Sequence, residues 1–112
     1  MKSYLRVFGL VLCILLIATM GASAKVQVVT TFSILADLVS QVGGDQVQVN
    51  SIVPFGGDPH SYEPTTKEAR YVATADVLFY NGLGLELWLE RLIDNTASKN
   101  LKVIVLSYGL LA

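Results

Sequence analysis

Along residues 25–112 the apolar positions switch repeatedly between strand-like and helix-like spacing. Residues 25–31, KVQVVTT, are mostly apolar and β-branched, which predicts a buried parallel strand. In FSILADLVSQVGG, Ile34, Leu35, Leu38, Val39 and Val42 recur at helical spacing. Ser33 is placed to cap the start, and Gly43 and Gly44 stand where a helix usually stops. Residues 46–53, QVQVNSIV, alternate and end apolar, predicting a second strand. TTKEARYVATAD opens with Thr65 and Glu68 at capping-box spacing and carries a small apolar face of Ala69, Val72 and Ala73. Residues 77–81, VLFYN, read as a third strand. GLGLELWLERLIDN reads as a helix over 82–95, with Leu85, Trp88, Leu89, Leu92 and Ile93 on one side. Residues 101–107, LKVIVLS, read as a fourth strand.

Alternation of this kind predicts an α/β fold: a four-stranded parallel sheet with helices on both faces, joined by right-handed crossovers. In open sheets of this class ligands bind beyond the carboxyl ends of the strands. Three segments should therefore gather on one rim. They are TTFS after the first strand, the loop PFGGDPHSYEP after the second and NGLGLE after the third.

The front of the chain follows a different pattern. Lys2 and Arg6 precede an unbroken apolar run of 14 residues, VFGLVLCILLIATM, and then GASAK with Ala22 and Ala24 in a small-x-small arrangement. This is the layout of a cleavable signal peptide over 1–24, with cleavage between Ala24 and Lys25 and an α/β domain over 25–112. The competing reading is a membrane anchor. Fourteen helical residues reach only about 21 Å, short of the roughly 30 Å hydrocarbon core. Cys13 follows Leu12 inside the apolar run, a poor context for a lipid-modified cysteine, and it would leave with the signal. The remaining chain has no cysteine, which excludes disulfides, zinc–thiolate sites and cysteine nucleophiles. Removing Lys2 and Arg6 leaves six basic against nine acidic residues, a balance of −3 with His60 neutral. A small acidic domain without a basic stripe argues against a nucleic-acid partner.

Chemistry concentrates in residues 54–64. Pro54, Gly56, Gly57 and Pro59 restrict and shape the path, and they present the chain's one histidine, His60, from a pre-organised loop. A neutral imidazole suits zinc, copper, iron or nickel. By spacing alone His60 reads either as a solvated turn residue or as a metal ligand, and one histidine is not a metal motif. Catalysis has less support: Ser33, Ser51 and Ser61 have no second histidine to activate them, and Asp58 and Glu63 read as solvated loop acids. GLGLE lacks the third glycine of a dinucleotide fingerprint. Trp88 reads as core.

GGDPHSYEPT, followed by ADVLFYNGLGLELW, resembles paired signatures of the zinc- and manganese-binding solute-binding proteins of bacterial ABC transporters; the likeness runs from Val28 to Ile93. The resemblance implies one lobe of a two-lobed periplasmic metal-binding protein, not an enzyme, that captures zinc or manganese for a membrane permease. The family's first metal ligand is the histidine of the DPH loop, so that role passes to His60. Asp58 and Asn81 are expected to brace their turns. The family's remaining ligands lie further along, beyond a spine helix, and correspond to no residue here. The sequence is thus expected to be an incomplete N-terminal lobe. The alternatives are a truncated remnant that binds nothing tightly, or a lobe for a metal chelate or small organic ligand.

Overall fold

The computed structural model describes residues 1–18 and 23–110; Ala22 of the expected cleavage motif lies outside the described residues. Helix α1 spans Lys2–Ala18, and its side chains through Ile14 are exposed. Among the described residues no helix is long and apolar enough to cross a membrane.

Strands β1 (Val26–Phe32), β2 (Val47–Val53), β3 (Val77–Tyr80) and β4 (Lys102–Val105) form one sheet in the order β2-β1-β3-β4, with every pairing parallel. Helix α2 (Ser33–Gly43) lies over β1 and β2. Helices α3 (Thr66–Thr74) and α4 (Leu89–Thr96) pack on each other, and α3 lies against β1 and β2. The predicted doubly wound architecture is therefore present.

Strand alternation sends two sets of side chains to opposite faces. Val29, Ile52 and Leu78 join Val72, Ala75 and Leu89 in the main core under α3 and α4. Val28 and Val53 point the other way and are buried, as is Leu35 of α2. The core is small, in keeping with a domain of this size.

Two details of the helices differ from expectation. Ser33 is the first helical residue of α2 rather than its cap; Phe32 takes the cap position and supplies no side-chain hydrogen bond. Of the apolar stripe on α2, only Leu35 is buried, while Ile34 is 66 % exposed and Val42 91 % exposed. The stripe has helical periodicity, but the sheet beneath offers only two strands to cover it. The stop is as expected: Gly44 takes φ +55, a left-handed value natural to glycine, and its N–H donates to the Ser40 carbonyl.

The capping box of α3 also forms. The Thr65 N–H donates to Glu68 Oε2 at 2.7 Å, and the Thr65 hydroxyl donates to the same oxygen. Burial of Glu68 opposes its charge, but the bonds from the Thr65 hydroxyl and N–H outweigh it and hold the carboxyl below its ordinary value of 4.5. A carboxyl depressed on folding stabilises the protein fully above its unfolded pKa, and that contribution is lost as pH falls through the folded value. Stability is therefore expected to hold above about pH 5 and to decline below about pH 4. Urea unfolding of wild type and Glu68→Gln at pH 6 and pH 3 checks this. The variant should show a shallower acid loss, and identical acid profiles would count against the assignment.

Candidate functional site

The carboxyl ends of β1, β2 and β3 carry the three segments expected on one rim. Between β1 and β3 the connections leave toward opposite faces, which is the switch point where a crevice opens in sheets of this kind.

Glu86 closes that point. Its carboxylate is buried and accepts three hydrogen bonds: from Thr31 Oγ1 at 2.7 Å, from the Asn81 N–H at 2.7 Å and from the Gly82 N–H at 3.1 Å. One side chain thus ties the end of β1 to the turn after β3. The turn is strained, with Gly82, Leu83 and Gly84 all at positive φ (82°, 56° and 77°). Leu83 is a non-glycine residue in the left-handed region, a conformation that costs roughly 1–2 kcal/mol. These three residues cannot be helical, which is why α4 begins at Leu89 and not at residue 82 as predicted. Leu85 N–H to the Gly82 carbonyl (3.2 Å) and Leu89 N–H to the Glu86 carbonyl (3.1 Å) carry the chain through successive turns instead.

Asn81 braces this turn differently from expectation. Its side-chain amide donates to the Gly82 carbonyl at 3.0 Å, and the acceptor that gathers the local N–H groups is Glu86. Gly82 is required twice over. A Cβ there would stand 2.5 Å from Val105 Cγ2 and 2.8 Å from Ser107 Oγ, and φ is +82°. Gly82→Ala is expected to cost about 2–3 kcal/mol, from backbone strain plus overpacking against β4. Chemical denaturation checks this; a variant within 0.5 kcal/mol of wild type would overturn it.

The His60 loop is organised by Asp58, as the sequence suggested. Asp58 Oδ1 accepts the His60 N–H at 2.9 Å and Oδ2 accepts the Ser61 hydroxyl at 2.8 Å. The Ser61 hydroxyl, then the His60 N–H, hold the Asp58 carboxyl below its ordinary value of 3.8. Both carboxylate oxygens are thereby engaged within the turn. His60 itself is exposed, with no side-chain hydrogen bond among the described residues. It lines a cleft of about 670 Å³ together with Glu63, Leu87, Trp88, Arg91 and Asn95.

Trp88 departs from its expected place in the core. It is half-buried at the seam between α4 and the His60 loop. Its Nε1 donates to the Pro59 carbonyl at 2.7 Å, and its ring meets Tyr62 edge-on, with centroids 6.2 Å apart at 64°. Sequence reasoning placed Thr31 and Glu86 within segments of the rim but gave neither side chain a role. The available signal was a lone acid between Leu85 and Leu87 in the turn that follows β3.

Among the described residues no three His, Cys, Asp or Glu side chains stand close enough together to hold one metal ion. The rim supplies a single imidazole on a rigid support, with its other acids committed elsewhere or dispersed.

A doubly wound parallel sheet with a braced loop at its carboxyl rim defines an α/β unit of the class whose ligand crevice lies beyond the ends of its strands. The family model for the zinc-uptake complex component A, periplasmic, matches residues 28–112, and the chain belongs to that family. It is similar to the manganese ABC transporter substrate-binding lipoprotein PsaA of Streptococcus pneumoniae, 42 % identical over 92 residues, covering 79 % of this chain and 30 % of PsaA. It is also similar to the manganese-bound periplasmic metal-binding protein of Candidatus Liberibacter asiaticus, with TM-score 0.72 and 34 % identity over 79 % of this chain and 32 % of that one. The zinc-bound ZnuA-like domain of Streptococcus pneumoniae AdcA aligns with TM-score 0.68 and 32 % identity, covering 79 % of this chain and 33 % of that domain. The chain spans about a third of the length of these relatives.

Proposed function

We propose that this chain contributes His60 as one ligand for a divalent transition metal, zinc or manganese, captured outside the cytoplasmic membrane for delivery to the permease of an ABC importer. The observation that carries the reading is the His60 loop itself: the imidazole is exposed on the carboxyl rim while its backbone is braced by Asp58. Such a group can coordinate an ion without first reorganising the chain, which lowers the ordering cost of binding. Metals named for its relatives include manganese and zinc, and neutral imidazole serves both. The metal is cargo. The unit acts as a carrier rather than as an enzyme, a reading that follows its family.

Manganese(II) titrated into the isotope-labelled full chain tests the assignment, because the ion broadens NMR signals only near its binding site. Broadening should centre on His60 and Ser61 and vanish in His60→Ala. Broadening centred on other residues, or unchanged in the variant, would remove His60 from the site.

Export through a cleavable signal at residues 1–24 belongs to the same reading. It is supported by the basic start and by the exposed apolar helix α1. Cys13 sits in the middle of that helix and would be lost with it. Mass spectrometry of the exported product should find Lys25 at the N-terminus; an intact Met1 terminus would sink the idea.

A further inference from the structure

The peptide unit joining Pro59 to His60 is held at both of its polar ends. Its N–H, from His60, donates to Asp58 Oδ1 at 2.9 Å. Its carbonyl, from Pro59, accepts from Trp88 Nε1 at 2.7 Å, across 29 positions of sequence. Because a peptide unit is planar, fixing both ends fixes the plane and therefore the direction in which the next Cα is presented. The two restraints have different origins. Asp58 is local to the loop and moves with it. Trp88 immediately precedes α4 and packs against the main core, so it refers the loop to the body of the protein. Tyr62, two residues after the histidine, meets the same indole edge-on. The loop is thus gripped on both sides of His60 by one side chain.

We propose that Trp88 is a positioning residue for His60, acting through its indole N–H on the Pro59 carbonyl; the consequence for metal rests on the reading of His60 as a ligand. A tryptophan serving only the core needs its ring and not its N–H. The hydrogen bond is also placed to matter. It is the contact that sets the histidine's peptide plane relative to α4 and the sheet, whereas Asp58 sets it only relative to the turn. Loss of the N–H should leave the Asp58 turn formed but free to pivot as a body, so that the imidazole samples several directions over the cleft.

The test separates ring from donor in the full chain. Trp88→Phe removes the N–H and part of the ring; replacement of Trp88 by benzothienylalanine, which carries sulfur in place of the N–H, keeps the bicyclic shape. The second variant guards against a simple packing defect in the first. In the metal-free protein, the benzothienyl variant should unfold within a few degrees of wild type, while the ¹⁵N heteronuclear NOE of the His60 and Ser61 amides falls. With manganese or zinc added, its affinity should fall three- to tenfold. A folded benzothienyl variant with unchanged loop order and unchanged affinity overturns the proposal, and so does loosening of the loop without loss of affinity when His60→Ala itself weakens binding. If the loop loosens but His60→Ala already binds metal like wild type, the ligand reading of His60 fails while the restraint by Trp88 stands.

Discussion

Glu86→Ala is expected to destabilise the α/β unit by about 3 kcal/mol, the largest loss of any single substitution on the rim. The carboxylate satisfies the Thr31 hydroxyl and the N–H groups of Asn81 and Gly82. Truncation deprives all three donors together, beneath a residue that is itself 7 % exposed. It also releases a turn in which Leu83 is held at φ 56°, so part of the expected loss is the freedom the turn regains. In a domain of this size about 3 kcal/mol corresponds to a drop in melting temperature of roughly 10–25 °C. The pattern across variants is more diagnostic than the size. Oε1 accepts two of the bonds and Oε2 one. Glutamine can keep its oxygen at the doubly used position and turn its amide toward the Gly82 N–H alone, so Glu86→Gln should cost about half as much as alanine. Thr31→Val removes one donor and leaves the carboxylate with two backbone partners, so it should cost about 1 kcal/mol. Combined with Glu86→Ala, Thr31→Val should add little, because the bond it deletes is already gone. Equal losses for alanine and glutamine, or strict additivity with Thr31→Val, would show that the carboxylate is not the organising group.

What was legible in the sequence and what was not divides along physical lines. The first two strands announce themselves by different signals: 26–32 is mostly apolar and β-branched, as a strand covered on both faces demands, and 47–53 alternates before it ends apolar. The capping box at Thr65 and Glu68 depends on four neighbouring residues and survives any tertiary context. The start of α4 was misread because periodicity at Leu85, Trp88 and Leu92 is compatible with a helix from residue 82. The strained turn that displaces it is specified by a bond from Glu86 back to the chain before it, which a residue-spacing argument does not contain. The face of α2 failed for a related reason. Ile34, Leu38 and Val42 lie on one stripe by arithmetic, yet burial depends on how many strands lie below. At the site, proline and glycine made the rigidity of the His60 loop readable, and Asp58 followed from ordinary turn chemistry. The Trp88 contact to Pro59 spans 29 positions, and its geometry exists only once α4 and the loop have met.

The second large effect concerns metal. The full chain is expected to bind zinc or manganese no tighter than tens of micromolar, near −6 kcal/mol on the affinity scale. Tight zinc sites use three or four protein ligands in a closed geometry, and among the described residues no such group assembles. Asp58 stands two positions from His60, but its oxygens already accept from the His60 N–H and the Ser61 hydroxyl. Recruiting it would break the turn that presents the imidazole. One imidazole leaves the other positions of the ion to water, so His60→Ala should reduce binding at least tenfold, to the level of dispersed surface carboxylates. Joined to the part of PsaA that it does not span, the chain should gain orders of magnitude in affinity. The gain comes from convergent ligands brought to a histidine that is already braced, with little further ordering cost. It should disappear if the joined protein carries His60→Ala. Calorimetry with zinc and manganese on the chain, on the joined protein and on both alanine variants decides the matter. Nanomolar affinity in the unjoined monomer would refute the single-ligand account, and a joined protein indifferent to His60 would refute the ligand itself.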